Sequence, residues 1–138
     1  MVHTSRVDLQ TKGNDDIIDI TPQIQQSVLE SGLINGVVVA FVIGSTAALT
    51  TIEYEPGLVA DLPNALERIA PRNAEYAHEA RWSDDNGHSH VRAALIGPTI
   101  TVPFVDGNLA LGAWQQIVLI DFDTRPRKRE VVVQILGD

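Results

Sequence analysis

The chain has 138 residues, 44% hydrophobic and 20% charged, a length that buries one core but not two and a balance that excludes a disordered or fibrous protein. Eighteen acidic against ten basic residues give a formal charge of −8, which argues against nucleic acid or an anionic membrane as the main partner. There is no cysteine, so disulfides and thiolate ligands are excluded, and any metal must be held by nitrogen and oxygen.

The N-terminus, Met1-Val-His-Thr-Ser-Arg-Val-Asp, lacks the basic and apolar regions of a signal peptide. No apolar run approaches the ~20 residues that span a bilayer, so a soluble cytoplasmic protein is expected. Residues 2–10 alternate loosely and predict a strand, and Ile17, Ile18 and Ile20 predict a short second one. Thr21-Pro22 reads as a helix start, with Thr21 as N-cap and Pro22 at the first helical position. Ile24, Val28 and Leu29 supply that helix's buried stripe, and Gly32 its stop. The apolar, β-branched run Gly36–Ile43 predicts a central strand buried on both faces. Residues 47–54 predict another strand, and 58–69 a helix with Leu62, Ala65, Leu66 and Ile69 on one face. Pro63 is compatible with that helix only in its first turn, where amide protons lack intrahelical partners.

The segment from Trp82 to Pro98 concentrates the chemistry. Asp85-Asn86-Gly87 is turn chemistry. Beyond it, His88, His90 and Arg92 alternate with Val91, Ala93 and Leu95, which predicts a half-buried strand carrying both imidazoles on one face. That is how a strand offers two nitrogen ligands to one metal ion, although an ordinary solvated face would look the same and two ligands do not satisfy a divalent ion. His78, Asp84, Asp85, Glu53 and Glu55 are the further candidate ligands. Thr99–Val105 predicts a strand, Asp106-Gly107-Asn108 a hairpin turn, residues 109–111 and 114–122 the return, 123–127 a loop, and 130–136 a terminal strand. One α+β domain over residues 1–138 follows: mostly antiparallel sheet, eight or so strands, two helices on one side.

Phosphate-loop, dinucleotide-binding and nucleophile-elbow motifs are absent. Gly44-Ser45-Thr46, after a buried strand, can hold phosphate through backbone amides and hydroxyls, or be a plain turn. Arg125, Arg127, Lys128 and Arg129 are the only basic cluster, able to attract an anion or to form a solvated loop. Trp114 reads as core, with Gln115 able to reach a cleft.

The run Asn86-Gly-His-Ser-His90-Val-Arg-Ala-Ala-Leu-Ile-Gly97-Pro98, continued by Gly107-Asn-Leu-Ala-Leu-Gly112-Ala-Trp114-Gln115, resembles the signature of the YjbQ family. Ser45-Thr46-Ala-Ala-Leu-Thr-Thr-Ile-Glu53 is similar to that family's second motif, and the likeness runs through essentially the whole chain. The resemblance implies compact α+β subunits that assemble as homotrimers. It also implies a secondary thiamine-phosphate synthase activity, joining a hydroxymethylpyrimidine diphosphate to a thiazole phosphate with release of pyrophosphate, normally with Mg²⁺. It points to His78, His88 and His90 as a metal or diphosphate site, to Asn86 as the residue orienting it, and to Glu53 as a carboxylate from the second motif. Ser45, Thr46, Arg92 and Gln115 are the expected substrate contacts. Where many relatives carry Pro-His-Thr-Thr, this chain has Ile43-Gly44-Ser45-Thr46. Three histidines suit Zn²⁺ better than Mg²⁺, so a divalent metal of either kind is expected. A metal-dependent hydrolase of a small anionic substrate, or a non-catalytic trimeric module binding a metabolite or metal, are the alternatives.

Overall fold

Two antiparallel sheets share one face each, and helices cover the outside of the smaller sheet. The computed structural model describes residues 1–82 and 84–138. In chain order the elements are β1 (Val2–Thr11), β2 (Asp16–Asp19), α1 (Thr21–Ser31), β3 (Gly36–Val42), β4 (Ala47–Ile52), α2 (Pro56–Ile69), α3 (Ala77–Trp82), α4 (Gly87–Ile96), β5 (Thr99–Val105), β6 (Asn108–Leu109), β7 (Gln116–Asp121) and β8 (Arg127–Gly137). The first sheet has the order β1-β8-β3-β5-β6 and the second β2-β7-β4. None of the helices among the described residues is long and apolar enough to cross a membrane.

Side-chain alternation sorts each strand onto two faces. Val38, Ala40 and Val42 of β3, Val131, Val133 and Ile135 of β8, and Val102 and Phe104 of β5 face inward. There they meet Ala47 and Leu49 of β4, Ile117 and Leu119 of β7, and Ile24 and Val28 of α1. The opposite face of the second sheet, Ala48, Val118 and Ile120, packs with Leu66 of α2 and Ala93 of α4. The strand buried on both faces is therefore β7, between sheet and helices. Residues 36–43 were expected in that role, but β3 presents its other face on the open side of the first sheet, where Phe41 is 45% exposed.

Three local expectations need correction. The N-cap of α1 is Ile20; the Thr21 hydroxyl instead accepts from the Ile117 amide at 2.8 Å, pinning the helix to β7. Leu29 lies outside the buried stripe and is exposed. Helix α2 starts at Pro56, capped by the Glu55 carboxylate, so Pro63 sits in the helix interior. Its missing N–H frees the Val59 carbonyl, a cost limited by the half-exposed setting of both residues.

The largest correction concerns residues 87–96, which form α4 and not a strand. Gly87, His88, Ser89, Arg92 and Ala93 are buried, a spacing of one, three and four residues that belongs to a helix face. The alternation in the sequence misleads because this buried face carries polar residues whose partners are remote in the chain. Arg92, only 1% exposed, donates through Nε to the Ala70 carbonyl at 3.0 Å. Its Nη1 reaches both Asp15 oxygens at 3.1 and 3.0 Å, and its Nη2 the Glu67 carboxylate at 2.8 Å. Asp15 holds its carboxylate there from a left-handed backbone, φ 67°. Ser89 donates its hydroxyl to the Phe122 carbonyl.

Removing Arg92 leaves the half-buried Asp15 carboxylate only its longer contact with Arg72, at 3.4 Å. Arg92→Ala is expected to cost about 3–5 kcal/mol in denaturant unfolding, with Arg92→Lys recovering part of the loss; a cost under about 1 kcal/mol would show the pair to be dispensable.

His88 is 1% exposed. Burial above all, with the positive charges of Arg92 and Arg72, pushes its imidazole below the ordinary value of 6.5, against the pull of Asp15 and Glu67. The unfolded chain thus binds the proton more readily than the folded one. The His88 contribution to stability is complete above pH 6.5 and is lost as pH falls through the lower folded value. Unfolding free energy measured from pH 7.5 to 5 is expected to fall less steeply in His88→Gln than in the parent chain; parallel curves would contradict this.

Candidate functional site

The 43–46 turn and the exposed side of α4 face each other across a cleft of about 400 Å³, lined by Gly44, Ser45, Ala47, His90, Ala93 and Pro98 among others. Two segments that the sequence marked independently, Gly-Ser-Thr and His-x-His, thereby meet. The cleft is stitched at its base by backbone bonds from Val42 N to the Pro98 carbonyl, 2.9 Å, and from Leu49 N to the Gly97 carbonyl, 3.1 Å.

A helix turns residues two apart to nearly opposite sides. His90 is half-buried and faces the cleft, whereas His88 points into the interior. The partner of His90 is His78 of α3, with ring centroids 4.3 Å apart and planes tilted by 51°. His78 Nε2 lies 3.0 Å from Asp84 Oδ1. The Asn86 carboxamide, oriented by the Asp84 carboxylate, donates to Asp84 Oδ1 and towards His78 Nε2, both at 3.0 Å. Asn86 thus lies against His78 and Asp84 rather than at a three-histidine site. Gly87 lets this cluster form: a Cβ there would lie 2.5 Å from the Tyr76 Cβ and 2.6 Å from Glu79 Oε1, while the Gly87 amide donates to Glu79.

His90 is held below the ordinary 6.5 chiefly by burial and secondarily by His78; Asp123, Asp84 and Glu79 oppose the shift. At neutral pH its imidazole is uncharged, with one nitrogen to accept and one to donate.

Behind the turn lies a buried ionic network. Arg129, 8% exposed, grips Asp121 through Nε at 2.7 Å and Nη2 at 2.8 Å, and its Nη2 also donates to Thr46 Oγ1 at 2.6 Å. Thr46 Oγ1 donates to Asp123 Oδ2 at 2.9 Å, which also receives Arg127 Nε at 3.1 Å. Burial pushes the Asp123 carboxyl up, but hydrogen bonds from Thr124 N, Thr46 and Arg127 outweigh it and hold the group below the usual carboxylate range. Thr11 Oγ1 adds a bond to Asp121 Oδ2 at 2.5 Å.

The remaining expected site residues fall elsewhere. Thr46 is buried in the network, and Ser45 alone is exposed on the rim. Arg92 faces away from the cleft, with its guanidinium committed to Asp15, Glu67 and Ala70. Glu53 is exposed just beyond β4. Gln115 donates to Thr51 Oγ1 at 3.1 Å and lines a separate recess of about 260 Å³ with Thr50, Thr101 and Pro103. At ~3.3 Å per residue, Glu53 and Ser45 stand roughly 20 Å or more apart along β4. Trp114 is not core but 77% exposed, on the connection between β6 and β7.

The donor set does not assemble a three-histidine metal centre, because α4 sends His88 and His90 to different sides; among the described residues no three His, Asp or Glu side chains are grouped to hold an ion. The residues that sequence reasoning passed over are Asp121 and Asp123, which carried no motif, and Arg129. The last was visible only as part of a basic cluster, read as a loop, whereas β8 begins at Arg127 and turns Arg129 inward.

A family model described as UPF0047 protein YjbQ-like matches residues 5–138. A UPF0047 protein of Methanothermobacter thermautotrophicus is 37% identical over 136 residues, covering 99% of this chain and 93% of the relative. One from Archaeoglobus fulgidus is 38% identical, covering 93% and 97%. Among solved structures, a YbjQ-like protein of unknown function from Sulfolobus solfataricus superposes with a TM-score of 0.90 at 31% identity, over the whole of both chains. A hypothetical protein from Aeropyrum pernix does so with a TM-score of 0.91 at 29% identity, over 99% of each. The shared two-sheet fold and the match over nearly the entire length leave one assignment: the chain belongs to the YjbQ-like UPF0047 family.

Proposed function

We propose that the cleft between the 43–46 turn and α4 binds a small phosphorylated substrate and that the protein is a thiamine-phosphate synthase-like transferase. The observation that carries the reading is that Ser45 and His90, from the two motifs behind the resemblance, line one cleft. In this reaction the bond from the pyrimidine methylene carbon to the diphosphate oxygen breaks, pyrophosphate leaves with the electron pair, and the thiazole nitrogen forms the new bond to carbon. The protein must stabilise charge on the departing oxygens and align the nitrogen. His90, neutral at pH 7, donates a hydrogen bond through its ring N–H to the leaving diphosphate, and His78 fixes the ring's position. Asp84 and Asn86 fix His78 in turn.

The metal-dependent hydrolase loses its main support when His88 turns inward. A homotrimer fits the open face of the first sheet, where Phe41, Val105 and Leu136 are exposed, since association would cover that apolar surface. Glu53 and Gln115 have no role within one subunit's cleft.

Purified protein supplied with both substrates is expected to form thiamine phosphate, and His90→Ala to lower kcat/KM by about 100-fold. Absence of product above a blank, with and without Mg²⁺, would sink the synthase reading. Because the neutral imidazole is the working form and His90 is held below 6.5, the acid limb of the rate profile is expected below that value. His78→Gln removes a neighbour that pushes the His90 value down and is expected to shift the limb to higher pH.

A further inference from the structure

Arg129 has one guanidinium nitrogen to spare. Its Nε and Nη2 are taken by Asp121 and Thr46, while Nη1 has no hydrogen-bond partner among the described residues. No buried side-chain nitrogen or oxygen lacks a partner, so Nη1 reaches solvent even though the side chain as a whole is buried. It emerges beside Gly44: a Cβ on that residue would lie 2.7 Å from Nη1. Gly44 has φ +124°, a backbone that other residues rarely adopt. The bare Cα both permits the turn and leaves the guanidinium edge uncovered.

The turn contributes donors of its own. The backbone N–H groups of Gly44, Ser45 and Thr46 have no protein acceptor among the described residues, and Ser45 is exposed on the cleft rim. Consecutive free amides next to a fixed guanidinium are a geometry that phosphate oxygens satisfy. The charges behind the turn are matched: Asp121 pairs with Arg129 and Asp123 with Arg127. An anion at the turn therefore meets donors without protein acceptors, and the carboxylates behind it are already paired.

We infer that Arg129 Nη1 and the Gly44–Ser45 backbone form a phosphoryl-binding subsite that adjoins the His90 cleft at Gly44, taking the terminal phosphate of a small diphosphate or phosphate ester. Arg129 thus fills the part that sequence reasoning gave to Arg92. The inference rests on the reading of the cleft as a phosphorylated-substrate site, yet it stands or falls on binding and not on turnover.

The test is a titration of the folded protein, labelled with ¹⁵N in backbone and arginine side chains, with inorganic pyrophosphate. Saturable shifts of the Arg129 side-chain signal and of the Gly44 and Ser45 amides are expected. Ser45→Asp, a change at an exposed position, places a negative charge in the turn and is expected to weaken binding by about tenfold or more. Gly44→Ala, which fills the space in front of Nη1, is expected to weaken it too, with Ser45→Asp deciding should the alanine variant fail to fold. No saturable binding overturns the proposal, as do shifts confined to Arg125 and Lys128 that Ser45→Asp leaves unchanged. Binding at Arg129 without formation of thiamine phosphate would retain the subsite and reject the synthase. Synthase activity with Arg129 unmoved would do the reverse.

Discussion

The Arg129–Asp121 pair is the constraint on which the site end of the molecule depends. Arg129 belongs to β8 in the first sheet and Asp121 to β7 in the second, and their two-point contact crosses the interior between them. Asp121 also receives the Thr11 hydroxyl and the Asp123 amide, so β1, β7 and β8 converge on one carboxylate. Such a pair need not add net stability over an apolar filling, but removing either partner leaves a buried charge without its counterion. Its more definite effect is on register. A slip of one residue in β8 would turn Arg129 to the opposite face and Lys128 or Glu130 inward, and the 43–46 turn would lose the group it rests on. The shape of the turn is thus set by pairing between the sheets, not by the turn's own sequence alone.

Helix α4 divides the polar chemistry of the chain in two. Its inner side holds His88 beside Ser89 and Arg92, and the hydrogen bonds of the last two hold the segments around Asp15, Ala70 and Phe122 in place. Its outer side presents His90 to the cleft. The two histidines share a dipeptide spacing, a downward-shifted titration and burial as the first cause of that shift, yet their surroundings differ. His88 lies near a cluster of opposed charges centred on Arg92; His90 packs at a tilt against a second imidazole at the edge of an open space. Only the latter arrangement leaves a nitrogen within reach of a ligand.

Much of the architecture was legible because its strands obey simple rules. The β-branched run at 36–43, the Asp106-Gly107 turn and the strand expected over 99–105 each correspond to an element that the structure contains. Reading failed where tertiary partners override local pattern. His88 and Arg92 counted as polar and so as outward-facing, but Asp15 and Glu67, 77 and 25 residues from Arg92, make its burial possible. Trp114 counted as core on size alone, and the turn that carries it projects outward. For the site, the sequence marked both walls of the cleft, Ser45 and His90, without showing that they meet. It also marked Arg129, as one of four basic residues that nothing local could tell apart; only the pairing of Leu9 with Arg129 across β1 and β8 decides which of them turns inward.

The acidity of the chain does not oppose the anion subsite inferred at the turn. A chain of net charge −8 creates a field that disfavours phosphate at long range, but screening limits that field to about 8–10 Å at physiological salt. What an anion meets at close quarters is the local balance. Behind the 43–46 turn that balance is neutral, two carboxylates against two guanidinium groups, with Arg129 Nη1 left without a hydrogen-bond partner among the described residues. Fixed donors need little reorganisation when charge develops on a bound oxygen. The same ionic network that ties the two sheets together therefore leaves a fixed guanidinium nitrogen, Arg129 Nη1, beside Gly44 at the margin of the cleft.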